Sequence, residues 1–391
     1  MIEISDKSLC CGCTACAQIC PKHCITMLPD EEGFLYPHVD TSLCIDCGLC
    51  EKVCPITGHN VQLYPPLNVF AGKNHNDEVR KSSSSGGAFS LLATKFIKEG
   101  GVVCGCAWDD NCIARHIIIS DLQDLQKLQS SKYVQSSLDN IFASVKQLLK
   151  NKQRVLFSGT PCQIAGLKSY LNKSYDNLFT IDLLCHGVPS PALFESYKEL
   201  MSKRFGSRVV WANCRNKDKS WKRLSMELKF ANGKRYTKLC QYDPYLALFL
   251  SNKSLRPICY SCKFACSNRV GDISVGDFWG LGKIHYDYDD DKGISMLLLN
   301  TDKGVQLFDL VKEKMDYMQK DLSTAIAGNK VLCQPTHMHV DRKDFYQTFI
   351  NDGFEEASQR YASLPSYPKQ VYLDFMRWGL DLIRKIFKKG W

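Results

Sequence analysis

Eight cysteines fall in two runs of the same spacing. Cys10, Cys13, Cys16 and Cys20 read C-x2-C-x2-C-x3-C with Pro21 next, and Cys44, Cys47, Cys50 and Cys54 repeat it with Pro55 next. This run holds paired [4Fe–4S] cubanes. Three thiolates two residues apart wrap a loop around one cubane, and the fourth cysteine reaches across to the other. The expected ligand sets are Cys10, Cys13 and Cys16 with Cys54, and Cys44, Cys47 and Cys50 with Cys20. Zinc sites usually show paired C-x2-C knuckles without a third cysteine at the same step. Structural disulfides need an exported chain.

Four further cysteines stand out by position: Cys162, Cys185, Cys259 and Cys262. The first two lie at expected strand ends, and the last two form a C-x2-C knuckle. Spacing alone leaves three readings open. They are a third [4Fe–4S] site, a zinc knuckle using Cys259, Cys262 and Cys266, or ordinary buried cysteines.

The chain has 391 residues, too many for a ferredoxin module alone, so a larger domain follows the first cysteine runs. Its 45% hydrophobic and 23% charged content is that of a globular protein able to bury a core. The opening MIEISDKSLCCGC carries acids and cysteines in place of the basic patch and apolar run of an export signal. Twenty-one cysteines then imply thiols kept for metal in a reducing cytoplasm. The formal charge of +9 counts cysteines as neutral, and three clusters of about −2 each would reduce it to about +3. No basic tract interleaved with aromatics points to nucleic acid as a partner.

The elements that must position these residues read as follows. A ferredoxin module spans 1–60, and residues 61–67, with Pro65–Pro66, form a linker. LNVFAGK reads as a strand. Ser84, Ser85, Gly86 and Gly87 then open an apolar-periodic helix whose free N–H groups suit a phosphate as well as a plain N-cap. GGVVCGCAW is a buried strand. A short helix on Leu122, Leu125 and Leu128 and the polar loop SSKYVQSS follow, and Ser136 or Ser137 is expected to cap a helix reaching Leu149. RVLFS and LFTIDLL are strands, each followed by a loop (GTPCQ, CHGVPS) and a helix. Such alternation implies a parallel sheet with both loops at its carboxyl edge. RLSMELKF and KRYTKL flank the hairpin signal Asn232–Gly233. The expected fold is thus an α+β ferredoxin-like domain fused to an α/β domain with a mixed, largely parallel sheet in two stretches, 68–150 and 151–335. A helical tail, 336–391, closes the chain. The stretch Val371–Trp391 puts Val371, Phe375, Trp378, Leu382 and Ile386 on one face and Arg384, Lys385, Lys388 and Lys389 at the end. That pattern suits packing on the domain or peripheral contact with an anionic membrane.

The motifs SSSSGGAFSLLA, SSKYVQSS, FSGTPCQIAGLKSYL, DLLCHGVPSP, DPYLALFL and CYSCKF…RVGDISVGDFWG resemble the family of coenzyme F420 hydrogenase/dehydrogenase beta subunits, over roughly Leu67 to Leu299. The resemblance implies an iron–sulfur flavoprotein with FAD. It implies a third [4Fe–4S] cluster on Cys162, Cys185, Cys259 and Cys262. It points to Ser85, Gly86, Gly87, Lys132 and Tyr133 as FAD contacts, with Gly159, Thr160 and Gln163 close by.

Clusters move single electrons, and a flavin can collect them and deliver a hydride. The expected activity is therefore an oxidoreductase that passes electrons from the ferredoxin-type clusters through a further cluster to FAD. A small organic substrate then follows, with His186, Lys132 or Tyr133 supplying a proton or orienting it. The expected donor is a redox partner such as ferredoxin or coenzyme F420. The alternatives are an electron-transfer subunit that oxidises or reduces coenzyme F420 for a partner enzyme, and a non-catalytic redox module.

Overall fold

The computed structural model describes residues 1–58 and 61–366, with positions 368, 370, 372 and 376 beyond them. Of the tail helix expected over Val371–Trp391, all but positions 372 and 376 lies outside the described residues.

Helix α1 (Ala15–Ile19), the hairpin β1 (Ile25–Pro29) and β2 (Leu35–Val39), and α2 (Leu49–Lys52) form the first module. After the stretch from Val61 come β3 (Asn68–Asn74), α3 (Asp77–Ser82), α4 (Ala88–Lys98), β4 (Val102–Trp108), β5 (Ala114–Ile119), α5 (Leu125–Leu128) and α6 (Ile141–Lys150). Two strand–helix pairs follow: β6 (Val155–Gly159) with α7 (Pro161–Leu171), and β7 (Leu178–Leu183) with α8 (Pro191–Phe205). A separate antiparallel sheet holds β8 (Val209–Asn216), β9 (Ser225–Phe230) and β10 (Arg235–Leu239). The chain then runs through α9 (Pro244–Leu250), β11 (Ile273–Asp277), β12 (Ser295–Leu299), α10 (Asp302–Asp309), β13 (Met315–Gln319), α11 (Leu322–Gly328) and α12 (Arg342–Tyr361).

The main sheet has eight strands in the order β13-β3-β12-β11-β7-β6-β4-β5. Its centre, β11-β7-β6-β4, is parallel, and antiparallel strands flank it. A parallel centre must be covered on both faces. Accordingly Val155, Leu156 and Phe157 of β6 are all buried, as are Leu297 and Leu298 of β12. The carboxyl ends of β6, β7 and β11 share one edge. The register also brings the end of β3 (Asn74) and the start of β12 (Ser295) there. Gly86 and Gly87 sit on that edge before α4. A side chain at Gly86 would meet the Gly72 carbonyl at 2.3 Å and the Ser295 nitrogen at 2.5 Å, so only glycine lets the helix start lie on the sheet.

Two expectations change. Helix α6 begins at Ile141 with Asn140 before it, so neither Ser136 nor Ser137 caps it. The Ser136 hydroxyl is turned to His116 and the Ser137 hydroxyl to Asp139. Strands β5, β8 and β13 had no reading, because they pair at sheet margins where alternation is weak.

The ferredoxin-like module is built into the larger domain. Phe34 and Tyr36, at the hairpin, belong to the same buried cluster as Tyr197, Tyr245 and Phe345. Arg342 grips the Glu32 carboxylate with two hydrogen bonds of 2.9 and 2.5 Å. Helix α7 lies so close to the first cysteine loop that a methyl at Gly166 would stand 2.9 Å from Cys13 Sγ.

Arg269 is the hub of the return path. It is 2% exposed and pairs with the fully buried Asp182 at 2.6 Å. It also donates to the carbonyls of Phe264 and Cys266 and to Ser274 Oγ. Its backbone pairs both ways with Tyr64. One side chain thus joins the stretch after the first module, the knuckle loop and the central sheet. Replacing Arg269 by Met strands the Asp182 carboxylate and is expected to cost about 3–5 kcal/mol in denaturant unfolding. A double variant that also neutralises Asp182 should lose less than the two single losses combined.

Candidate functional site

The cysteine loops converge from both ends of the chain. Cys20, Cys44, Cys47 and Cys50 line one small pocket with Met1 and Ile45. The cysteine from the first run therefore sits with three from the second. Cys16 is buried, and burial together with the neighbouring Cys10 and Cys54 pushes its thiol up to about 12. Cys13 lies beside Cys10 and Cys16. All twenty-one cysteines are free thiols. Among the described residues no three metal-ligating side chains close around a single point. Two fours of unbridged thiols, with one four facing a shared pocket, fit the two cubanes. Cys11 and Cys24, which stand outside the two runs, are both buried.

The other four cysteines meet at the carboxyl edge. Cys162 follows Pro161 at the start of α7, where Thr160 and Gln163 form a capping box. Cys185 lies just past β7, and Cys259 and Cys262 come from the turn Pro257–Ser261 and its end. Burial, with Cys259, Cys162 and Cys262 around it, pushes the Cys185 thiol upward. The four line the same cavity near enough to feel one another's charge, and Cys11 of the first module stands against Cys162. The donor set fits a cluster of the same kind as the first two.

These cysteines form one wall of a cavity of about 860 Å³. Another wall is made by Ser83, Ser84, Ser85 and Gly87. The volume is in the range of cofactor and small-molecule sites, roughly 300–1,000 Å³. Two buried polar atoms by this wall lack a partner: Arg215 Nε, whose side chain lines the cavity, and Asn74 Nδ2, next to Gly87. Orphaned donors at a glycine-rich helix start fit an anionic group such as the phosphates of a dinucleotide.

The residues singled out in the sequence take distinct positions. Ser85, Gly87, Lys132, Tyr133, Gly159, Thr160, Gln163 and His186 all line the cavity, whereas Gly86 packs behind it. Burial lowers the Lys132 ammonium to about 8, yet its donors go to the carbonyls of Lys127, Gln129 and Ser130. It therefore closes its own loop. The Tyr133 ring stacks on Phe249 at 4.5 Å, and burial lifts its phenol to about 12. His186 is held neutral by burial. It meets Asn252 Oδ1 at 2.7 Å through Nε2 and the Phe249 ring at 5.3 Å.

Sequence reading missed the roles of Arg215, His116, Ser136 and Arg256. Arg215 donates to the Ser84 carbonyl at 3.0 Å and to Asp277 at 2.9 Å, fixing the serine loop to β11. His116 and Ser136 form, with Gln163, a closed chain. Gln163 donates to Ser136 Oγ at 3.0 Å, and Ser136 donates to His116 Nδ1 at 3.0 Å. His116 Nε2–H in turn faces the Ser158 carbonyl at 3.2 Å. Arg256 joins the two cysteine regions and is taken up below.

The fold and the cysteine sets define an iron–sulfur protein in which a dicluster module is locked to a mixed α/β domain. Residues 9–57 match the 4Fe-4S dicluster domain, and residues 152–324 match the family described as the carboxyl-terminal part of the beta subunit of coenzyme F420 hydrogenase/dehydrogenase. The segment 152–324 carries the likeness to that family, and the dicluster domain stands in front of it. It is similar to the F subunit of the F(420)H(2) dehydrogenase of Methanosarcina mazei, with 20% identity over 335 residues, 81% of this chain and 86% of that protein. Among solved structures it is similar to a chain of the F420-reducing [NiFe] hydrogenase complex of Methanosarcina barkeri. That match has 17% identity and a TM-score of 0.45, covering 76% of this chain and 92% of that one. Among the described residues no helix is long and apolar enough to cross a membrane.

Burial holds the His116 imidazole down at about 4. The folded state therefore refuses a proton that the unfolded chain accepts near 6.5. The associated stability is present above pH 6.5 and drains away as pH falls toward 4, by about 3 kcal/mol in all. His116→Gln is expected to flatten that part of the pH dependence in denaturant unfolding between pH 7 and 5. An unchanged pH profile would contradict a buried neutral His116.

Proposed function

We propose that this chain is an iron–sulfur flavoprotein oxidoreductase. In this reading the module 1–60 feeds electrons into a flavin domain formed by residues 68–335. The observation that carries it is the shared cavity. Cys162, Cys185, Cys259 and Cys262 form one wall, the serine–glycine helix start forms another, and Cys11 and Cys13 of the first module press on Cys162 and Gly166. FAD, when bound, supplies the exchange between single electrons and hydride. Two electrons and one proton make one hydride.

The chain's own residues prepare that site. Arg215 and Asn74 offer their unpartnered donors to anionic groups, and Ser85, Gly87, Thr160 and Gln163 supply the polar walls. Tyr133 presents its ring with a phenol that keeps its proton at neutral pH. His186, neutral and anchored on Asn252, orients a substrate group or returns a proton. Lys132 acts by shaping its loop.

The small organic substrate we favour is coenzyme F420, with the chain working as the electron-transfer subunit of a larger enzyme. The name of the similar dehydrogenase protein supports this. Transfer to a different small organic molecule, with ferredoxin as donor, is the second reading. The substrate-sized cavity beside His186 favours it equally.

Anaerobically purified protein is expected to hold about twelve irons and one FAD per chain. About eight irons without flavin would remove the flavoprotein reading and leave a dicluster module on an inert scaffold. Cys162→Ala should abolish reduction of the flavin by reduced ferredoxin, a one-electron donor entering at the N-terminal clusters, while those two clusters persist in low-temperature EPR. Normal flavin reduction in that variant would rule out the relay. Reduction of the bound flavin by reduced F420 but not by ferredoxin decides between the two substrates.

A further inference from the structure

Arg256 is fully buried, and the acceptors around it are neutral. Its Nε donates to the Cys10 carbonyl at 2.7 Å, and Nη1 donates to Gln135 Oε1 at 2.9 Å. Nη2 donates to the Leu35 carbonyl at 2.9 Å and to Cys10 Sγ at 3.5 Å. The rings of Tyr36 and Phe34 lie 4.2 and 5.4 Å from the guanidinium carbon. Carbonyls, an amide, a sulfur and aromatic faces satisfy geometry, but none of them carries the negative charge that a buried cation needs. An uncompensated buried ion is strongly unfavourable. A [4Fe–4S] core on four thiolates is an anion, and Cys10 is one of those thiolates.

The protein contains its own control. Cys10 and Cys44 hold the same place in the two repeats, and each sulfur accepts the backbone N–H two residues on, from Gly12 and Asp46, both at 3.4 Å. Only Cys10 has a guanidinium as well. The sequence difference that permits it is Gly12, which corresponds to Asp46 in the second repeat. A side chain at Gly12 would stand 2.3 Å from Gln135 Nε2 and 3.0 Å from Arg256 Nη1. The surroundings differ too: Cys13, Cys16 and Cys54 are buried, whereas Cys47 is exposed.

We infer that Arg256 is a potential-setting residue for the inner cluster, the one on Cys10, Cys13, Cys16 and Cys54. Burial disfavours adding an electron to an anionic cluster. A sulfur-directed cation offsets this by stabilising the more negative reduced state. Arg256 keeps the inner cluster able to take an electron from the exposed outer one. It does so from a position three residues before Cys259, whose N–H bonds the Arg256 carbonyl at 2.9 Å. One cation thus ties the geometry of the inner cluster to that of the knuckle. The inference needs only the dicluster domain, so absence of a third cluster or of flavin leaves it standing.

The test is an EPR-monitored redox titration of the cluster-loaded full chain. In Arg256→Gln one of the two N-terminal cluster signals should move to lower potential, shifting electron sharing between the clusters about tenfold, or about 59 mV for one electron. The other signal should stay in place. Arg256→Lys, which keeps the charge and loses the fork, should shift less. Iron content equal to wild type with both potentials unchanged would overturn the inference. A second measurement needs no variant: in wild-type protein grown with guanidino-15N arginine, pulsed EPR of one reduced cluster should show a 15N coupling. Its absence from both cluster signals would also overturn the inference.

Discussion

The site depends on an ion pair that water does not reach. Asp182 is the penultimate residue of β7, three residues before Cys185, and Arg269 comes seven residues after Cys262. Cysteines so far apart in the chain can face one another only if their backbones are held in fixed register. Asp182 accepts from Arg269 and from the Gly271 N–H at 2.8 Å, so the knuckle's exit is fastened to the strand that carries its counterpart. Buried pairs contribute little net stability compared with apolar packing, but they are costly to break. Here the gain is placement: four thiols from three segments arrive at one edge.

Electrostatics around the cysteines follows the same economy. The described cations nearest the cavity are mostly committed to neighbours. Lys132 closes its loop on three carbonyls, Arg215 holds Asp277, and Lys217 donates to the carbonyls of Arg80, Ser85 and Lys292. Burial holds Lys217 down at about 7. These side chains brace the serine loop and leave the cavity walls mainly to hydroxyls, backbone groups and sulfur. A site of that kind can hold an extended, partly anionic cofactor without setting the charge of whatever binds beside it.

What the sequence disclosed depends on how local each constraint is. The eight ferredoxin-type cysteines were legible because a cubane fixes its ligands at short spacings, and the two strand–loop–helix units because a buried strand is a run of apolar residues. The Asn232–Gly233 turn was legible for the same reason, since its chemistry lies within four residues. Arg256, Arg269 and Arg215 carried no such signal. Each does its work on residues tens to hundreds of positions away, and a lone arginine in sequence looks like a solvated one. The margins β5, β8 and β13 were missed because their pairing, not their own pattern, makes them strands. Lys132 lines the cavity as expected of it, but its donors go to three backbone carbonyls, which only the fold reveals.

The unequal exposure of the two N-terminal cysteine sets has a consequence for how the protein is built and damaged. The inner set is roofed by Arg256 and floored by α7 at Gly166, so a cluster held there is expected to be installed before, or while, the hairpin settles onto the larger domain. The outer set keeps Cys47 at the surface and can be filled late. Oxygen and chelators meet the same asymmetry in reverse. Attack is expected to begin at the outer set, where Cys47 meets solvent, before it reaches the inner one.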